Sequence, residues 1–227
     1  MVFIRVQNNI RFNIYNPSEK NMSNEIFEQF GNDPIALAKG WLSDARKNEP
    51  NDPEAACIAT CDAQGNPSNR MILIKEITGK GFKFHTNAKS RKGQDIADNP
   101  KAAMCLYWKS IRKQIRIEGD IEQTTESESD QYFKTRPIER QIGAWASKQS
   151  QTFEKREDMQ NAIKKYEDEF AGVDNIPRPE YWKGYRLIPK SIEFWIAHKD
   201  RLHTRFVYTK IEGSQDNNVW TATWLCP

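Results

Sequence analysis

Residues 55–123 contain AACIATC (55–61), RMILIKEI (70–77), FKFHT (82–86), AAMCLYW (102–108) and QIRIEGDI (114–121), short apolar runs separated by the turn-prone stretches DAQGNP (62–67), TGKG (78–81) and DNP (98–100). Runs of this length, rich in Ile, Phe and other strand formers and punctuated by Gly, Pro, Asn and Asp, predict successive antiparallel strands. The texture returns in YWKGYRLIP (181–189), SIEFWIA (191–197), TRFVYTKI (204–211) and VWTATWL (219–225), with Pro189 and GSQDNN (213–218) read as turns. Between the two strand blocks lie TESESDQYFKTRP (125–137) and a helical stretch rich in Glu, Lys and Gln from about residue 151 to 170. Strands, helices and strands again predict an α+β chain whose sheet closes into a barrel, because closure hides unpaired edges.

Upstream, Asp33-Pro34 supplies a helix N-cap and a first-turn proline, and Leu37, Trp41 and Leu42 follow at helical spacing. Residues 1–32 show no sustained period and read as a loosely ordered arm, which leaves 33–227 as a single domain. The 227 residues, 37% apolar, are enough for a real core. A net charge of +3 is too small an excess to argue for nucleic acid or a membrane surface. Cys57, Cys61, Cys105 and Cys226 have no C-x-x-C spacing and read as reduced thiols of a cytoplasmic protein. No apolar run approaches a membrane span, and Arg5, Asn8 and Arg11 break up any signal-type core. G-x-G-x-x-G, G-x-x-x-x-G-K-[ST], H-E-x-x-H and G-x-S-x-G are all missing, and three histidines argue against a His-based metal site.

Several basic clusters ask for an anion. In TNAKSRKG (86–93), Ser90 can cap a short helix with Arg91 and Lys92 in its first turn, where cations oppose the helix dipole unless a phosphate sits there. A basic surface turn is the other reading. RLHTR (201–205), if extended, sets Arg201, His203 and Arg205 on one face with Leu202 and Phe206 anchoring the other, as a ligand site or a charge-protected edge strand. Arg70 and Lys75 bracket MILI at an odd separation, so both can meet one ligand only across a bend. On 112–117, Ile115 and Ile117 form a core face, and Arg112, Gln114 and Arg116 a solvated one. Tyr132, Arg136 and Arg140 recur every four residues, although Pro137 interrupts the helix they would share.

Taken together and in order, NRMILIK (69–75), FHTNAKSRKG (84–93), RKQIRIEG (112–119), YFKTRP (132–137), QIGAWASKQS (141–150), IEFW (192–195) and RLHTR (201–205) resemble the pyridoxamine 5′-phosphate oxidase family. The resemblance implies an FMN-binding split β-barrel, antiparallel and Greek-key-like with flanking helices, that forms a homodimer with FMN at the interface. It implies oxidation of pyridoxamine or pyridoxine 5′-phosphate to pyridoxal 5′-phosphate, with O2 as acceptor and hydrogen peroxide released. By the same resemblance Arg70, Met71, Ile72, Leu73, Ile74, Lys75, His85, Thr86, Arg91, Lys92, Gln114, Gln149, Ser150, Trp195 and Arg205 contact FMN. Lys75, Tyr132, Arg136, Arg140, Arg201, Leu202 and His203 bind substrate, with Arg201 and His203 over the ring and its C4′ as the catalytic pair.

The chain departs from the family pattern at Arg140 (usually Ser), His85 (Tyr), Thr204 (Asp), Ile196-Ala197 (Gln-Gly) and Trp224 (Arg). It also has no clear equivalent of an N-terminal Arg-x-x-Tyr substrate lid, Arg11 and Tyr15 being spaced differently. Related readings are an FMN oxidase of another small aromatic compound and a non-catalytic flavin or pyridoxal-phosphate binder. A nucleic-acid binder is the reading the modest net charge disfavours.

Overall fold

The computed structural model describes residues 17–212 and 219–227, so the sequence readings on 1–16 and on GSQDNN lie outside it. Helix α1 (Pro17–Phe30) corrects the expectation of a loose arm through residue 32. Ile26 is fully buried, the Phe30 ring stacks on Phe206 at 4.2 Å, and the Tyr208 hydroxyl donates to the Gly31 carbonyl at 2.6 Å. So short an apolar face leaves no period to read, and packing on the sheet supplies the stability that helix propensity does not. Helix α2 (Pro34–Asn48) starts as expected, with Asp33 Oδ1 accepting from the Ile35 and Ala36 amides at 2.9 and 3.0 Å.

The strands are β1 (Ala55–Cys61), β2 (Pro67–Leu73), β3 (Glu76–Thr78), β4 (Gly81–Asn87), β5 (Lys101–Trp108), β6 (Lys113–Gln123), β7 (Trp182–Ile196), β8 (Thr204–Lys210) and β9 (Trp220–Trp224). Helix α3 (Arg91–Asp98) follows β4, while α4 (Glu126–Lys134), α5 (Ile138–Ala146) and α6 (Arg156–Glu169) lie between β6 and β7. All strands join one antiparallel sheet in the order β2-β1-β5-β6-β7-β4-β3, with β8 on β7 and β9 on β8. The sheet curls around Ile58, Met104, Ile115, Ile117, Leu187, Phe194 and Phe206, all essentially without solvent exposure. This is the expected α+β split-barrel fold with flanking helices, although the sheet curls into a half-barrel with β2 and β3 at the ends of its path rather than closing on itself.

Two sequence breaks fall differently from expectation. RMILIKEI is not one strand: β2 stops at Leu73 and β3 begins at Glu76. Pro189, read as a turn, lies inside the single strand β7 instead. Proline lacks an N–H for the ladder, and here it flanks a β-bulge, β7 passing over Lys190 as its partners step from Glu118 to Gly119. The backbones come so close there that a Cβ on Gly119 would stand 2.0 Å from the Ile188 carbonyl oxygen. One strand therefore runs through both parts of the sheet, its first half pairing with β4 and its second with β8.

Candidate active site

Three polar groupings contain the residues singled out in the sequence. The first is built on β4 and α3. Ser90 caps α3, placing Arg91 and Lys92 in the first turn as expected. Arg91 is exposed, whereas Lys92 keeps only 6% of its surface. Its ammonium donates to Thr86 Oγ1 at 2.9 Å, Gln149 Oε1 at 3.1 Å and Ser90 Oγ at 3.4 Å, all neutral acceptors. Burial first, and the neighbouring Arg70 charge second, push its pKa down to about 8. Gln149 reaches this point because Trp145 anchors the end of α5, donating to the Pro177 carbonyl at 2.8 Å. The chain then turns back through Ser150 at φ 70°.

Beside this lies a cavity of about 410 Å³ whose lining includes Lys75, His85, Tyr132, Arg136, Arg140 and Trp182. The helix break at Pro137 does not separate Tyr132, Arg136 and Arg140: α4 ends, α5 begins at Ile138, and all three side chains still meet. The His85 ring stacks on Tyr132 at 4.2 Å and on Trp182 at 4.7 Å, nearly parallel to both. Among the described residues neither of its ring nitrogens has a partner, and burial, helped by the Lys83 and Arg136 charges, pushes its pKa down to about 3. The Arg136 guanidinium lies 4.9 Å over Trp182 with its buried Nη1 unpartnered. Gln141 holds its backbone, donating to the Arg136 carbonyl at 2.8 Å. Among the described residues, no carboxylate lines this cavity. A second cavity of about 450 Å³ shares His85, Arg136, Arg140 and Trp182 and continues to Thr86 and Gln149, linking the two regions.

The second grouping is Gln114, Trp195 and Arg205, laid side by side by the β6–β7–β8 register. His203 packs against Trp195 at 4.7 Å. Its Nδ1 accepts from the His198 amide at 3.2 Å, so a proton on a neutral ring sits at Nε2. Arg205 is held by Glu193 at 2.8 Å. RLHTR is not extended as expected. Lys199–Arg201 form a single 3-10 turn, Asp200 and Arg201 take φ of 61° and 62°, and β8 begins only at Thr204. Leu202 is 71% exposed rather than an anchor, and Phe206 alone enters the core.

The third grouping surrounds Arg70, whose side chain turns to Thr60, Ser68 and Asp95 on the side of α3. Lys75, past the end of β2, turns to the Tyr132 cavity instead. Met71 is exposed, Leu73 is part of the Tyr132 cavity lining, Ile72 is half-buried, and Ile74 is buried in the core.

One copy of the chain brings the first and third groupings together, Arg70 being close enough to act on Lys92, but sets the second on a different stretch of β7. His85 pairs with Gly184 near the start of β7, whereas Trp195 lies eleven positions further on (195 − 184). At about 3.3 Å per residue that separation is up to roughly 36 Å.

A family profile described as pyridoxamine 5′-phosphate oxidase matches residues 42–168. The chain is 43% identical over 196 residues to the pyridoxine/pyridoxamine 5′-phosphate oxidase of Pelagibacter ubique (strain HTCC1062), covering 86% of this chain and 92% of that protein. It belongs to the pyridoxamine 5′-phosphate oxidase family. The Brucella abortus (strain 2308) oxidase of the same name is 45% identical over 202 residues, 89% of this chain and 96% of its own. A profile described as the pyridoxine 5′-phosphate oxidase C-terminal dimerisation region matches residues 182–227, which are β7 to the C-terminus.

Among solved structures, PhzG from Burkholderia lata 383, in complex with tetrahydrophenazine-1-carboxylic acid, superimposes with TM-score 0.78 at 31% identity, covering 95% of this chain and 98% of PhzG. A pyridoxamine 5′-phosphate oxidase-related, FMN-binding protein of Nostoc punctiforme shares the fold, with TM-score 0.67 at 17% identity over 83% of this chain and 97% of its own. Among the described residues, no helix of this family member is long and apolar enough to cross a membrane.

Sequence reasoning missed Trp182, Asp95 and His198. Trp182 sits in a strand-like run where an aromatic residue reads as core. The partners of Asp95 lie 35 and 27 residues away in the sequence, so spacing carries no trace of them.

Proposed function

We propose that this chain is an FMN-dependent oxidase that converts pyridoxamine or pyridoxine 5′-phosphate to pyridoxal 5′-phosphate, with O2 as acceptor and hydrogen peroxide as the second product. The observation that carries the substrate half is the Tyr132 cavity, where Lys75, Arg136 and Arg140 converge with no carboxylate among the described lining residues. A phosphate ester carries about −1.5 to −2 charges near pH 7 and relieves the mutual repulsion of three cations better than a single carboxylate does. Burial and the Arg140 charge already push the Lys75 pKa down, which a dianion would reverse.

The cofactor half rests on Lys92. A buried ammonium with only neutral acceptors suits a phosphate, and Thr86, Arg91, Lys92, Gln149, Ser150 and Arg70 would hold that of FMN. When bound, FMN supplies the two-electron redox chemistry. Gln114, Trp195 and Arg205 would complete the flavin site from a second copy, since a single chain leaves them at the far end of β7. The dimerisation region over that same strand supports a homodimer, and the reading of the four cysteines as reduced thiols supports a cytoplasmic location.

Within the site, Lys75, Tyr132 and Arg136 hold the substrate phosphate, His85 stays neutral and fills the wall, and Arg201 with His203 covers the ring. The Nε2 proton makes neutral His203 a donor that orients the substrate. The second reading, oxidation of another small aromatic acid, is favoured by the likeness to PhzG and by Arg140. Turnover decides between them. FMN-loaded protein should release pyridoxal phosphate and peroxide from either vitamin phosphate. Full flavin occupancy with no product from either defeats the substrate assignment, and a colourless preparation that refuses FMN defeats the whole reading.

A further inference from the structure

Asp95, on the inner face of α3, is 5% exposed and faces β1 and β2. Its Oδ2 accepts from Thr60 Oγ1 at 2.6 Å and from Ser68 Oγ at 2.8 Å, so both hydroxyl protons are committed to the carboxylate. The hydroxyl lone pairs are then left for Arg70, whose Nη1 donates to Thr60 at 2.7 Å and Nη2 to Ser68 at 2.5 Å. Asp95 Oδ2 itself stands 3.7 Å from Nη2. Arg70 thus spends two of its five donors inward, and its charge is close enough to lower the Lys92 pKa. The network ties β2, which carries Arg70, to the helix whose first turn carries Lys92.

We infer that Asp95 is a positioning residue for the flavin phosphate: through Thr60 and Ser68 it sets the Arg70 guanidinium beside the α3 N-terminus, so that Arg70 and Lys92 present one preformed anion cradle. This rests on the FMN reading given above. It makes an unusual demand on sign. Removing a carboxylate beside a phosphate site raises the local positive potential, and a purely electrostatic role predicts tighter FMN binding in Asp95→Asn. A positioning role predicts the opposite, since hydrogen bonds organised around a charged group are lost.

The test is titration of apoprotein with FMN and, separately, with riboflavin, which lacks the phosphate, for wild type, Asp95→Asn and Ser68→Ala. Expected is an FMN dissociation constant raised about tenfold in both variants, with riboflavin affinity unchanged. Ser68→Ala keeps the carboxylate and guards against a folding defect peculiar to position 95. FMN binding that is unchanged or tighter overturns the inference, and so does an equal loss for both flavins, which would make the network merely structural. A wild-type apoprotein that takes up no FMN sinks the cofactor reading itself, a result distinct from either of those.

Discussion

Replacing Lys92 by Met should weaken FMN binding and at the same time stabilise the empty protein. Met has nearly the volume of Lys, so the Thr86–Gln149 hydrogen bond at 3.1 Å and the surrounding packing survive. What disappears is an ammonium 6% exposed whose acceptors are all neutral. A hydrogen bond to a charged group is worth about 1.5–3 kcal/mol, so the FMN dissociation constant should rise about 10- to 150-fold. The stability effect has the other sign and a pH signature. The folded-state pKa of about 8 lies below the ordinary 10.5, so below pH 8 the native protein carries the full penalty of a buried charge. Between pH 8 and 10.5 the unfolded chain holds a proton that the native state has released, and wild-type stability recovers as pH rises. Urea midpoints of apo wild type and Lys92→Met should therefore differ most at pH 7, with the variant higher, and converge toward pH 10. Flavin fluorescence gives the affinities. A variant that binds FMN as wild type does, or is less stable than wild type at pH 7, refutes the reasoning.

His85 should make the protein acid-sensitive, because its native pKa of about 3 lies below the ordinary 6.5 and stability is lost as pH falls across that window. His85→Phe, which keeps the ring stack, should flatten the urea midpoint between pH 6.5 and 4; an unchanged slope would assign the acid sensitivity elsewhere. Arg201→Leu and His203→Ala should each lower turnover by tenfold or more, about 1.4 kcal/mol, with the visible flavin spectrum intact; loss of flavin instead would move both residues into the cofactor site. Gly119→Ala should cost about 1–3 kcal/mol, a fall of roughly 2–12 °C in melting temperature, because its Cβ has no room beside Ile188. A wild-type melting temperature in Gly119→Ala would mean that the β6–β7 bulge relaxes freely.

The elements read well where local chemistry decides them. Asp33 and Ser90 cap helices because their side chains meet amides two or three residues ahead, a relation visible in any sequence. The strand texture survives because alternation is local too. Helix α1 escaped because Ile26, Phe27 and Phe30 earn their places only against β8 and β9, nearly two hundred residues on. Pro189 misled because the bulge that accommodates it, at Lys190, shows only in the pairing of β7 with the distant β6. RLHTR misled because two left-handed residues, Asp200 and Arg201, reverse a path that the alternation of charges had made look straight. Family likeness pointed to the anion-seeking residues, but which of them share a cavity depends on where β2 ends and on α4 and α5 closing over Lys75.

The uninterrupted course of β7 has a genetic consequence. If the early end of this strand serves one flavin and the late end serves the other, then Lys92→Met and Arg201→Leu damage different halves of each composite centre. Chains carrying one lesion each, unfolded together and refolded as a mixture, should complement. In a hybrid dimer both lesions fall in the same centre, and the other is assembled wholly from unaltered residues. Two impaired parents would then yield a population more active than either parent refolded alone.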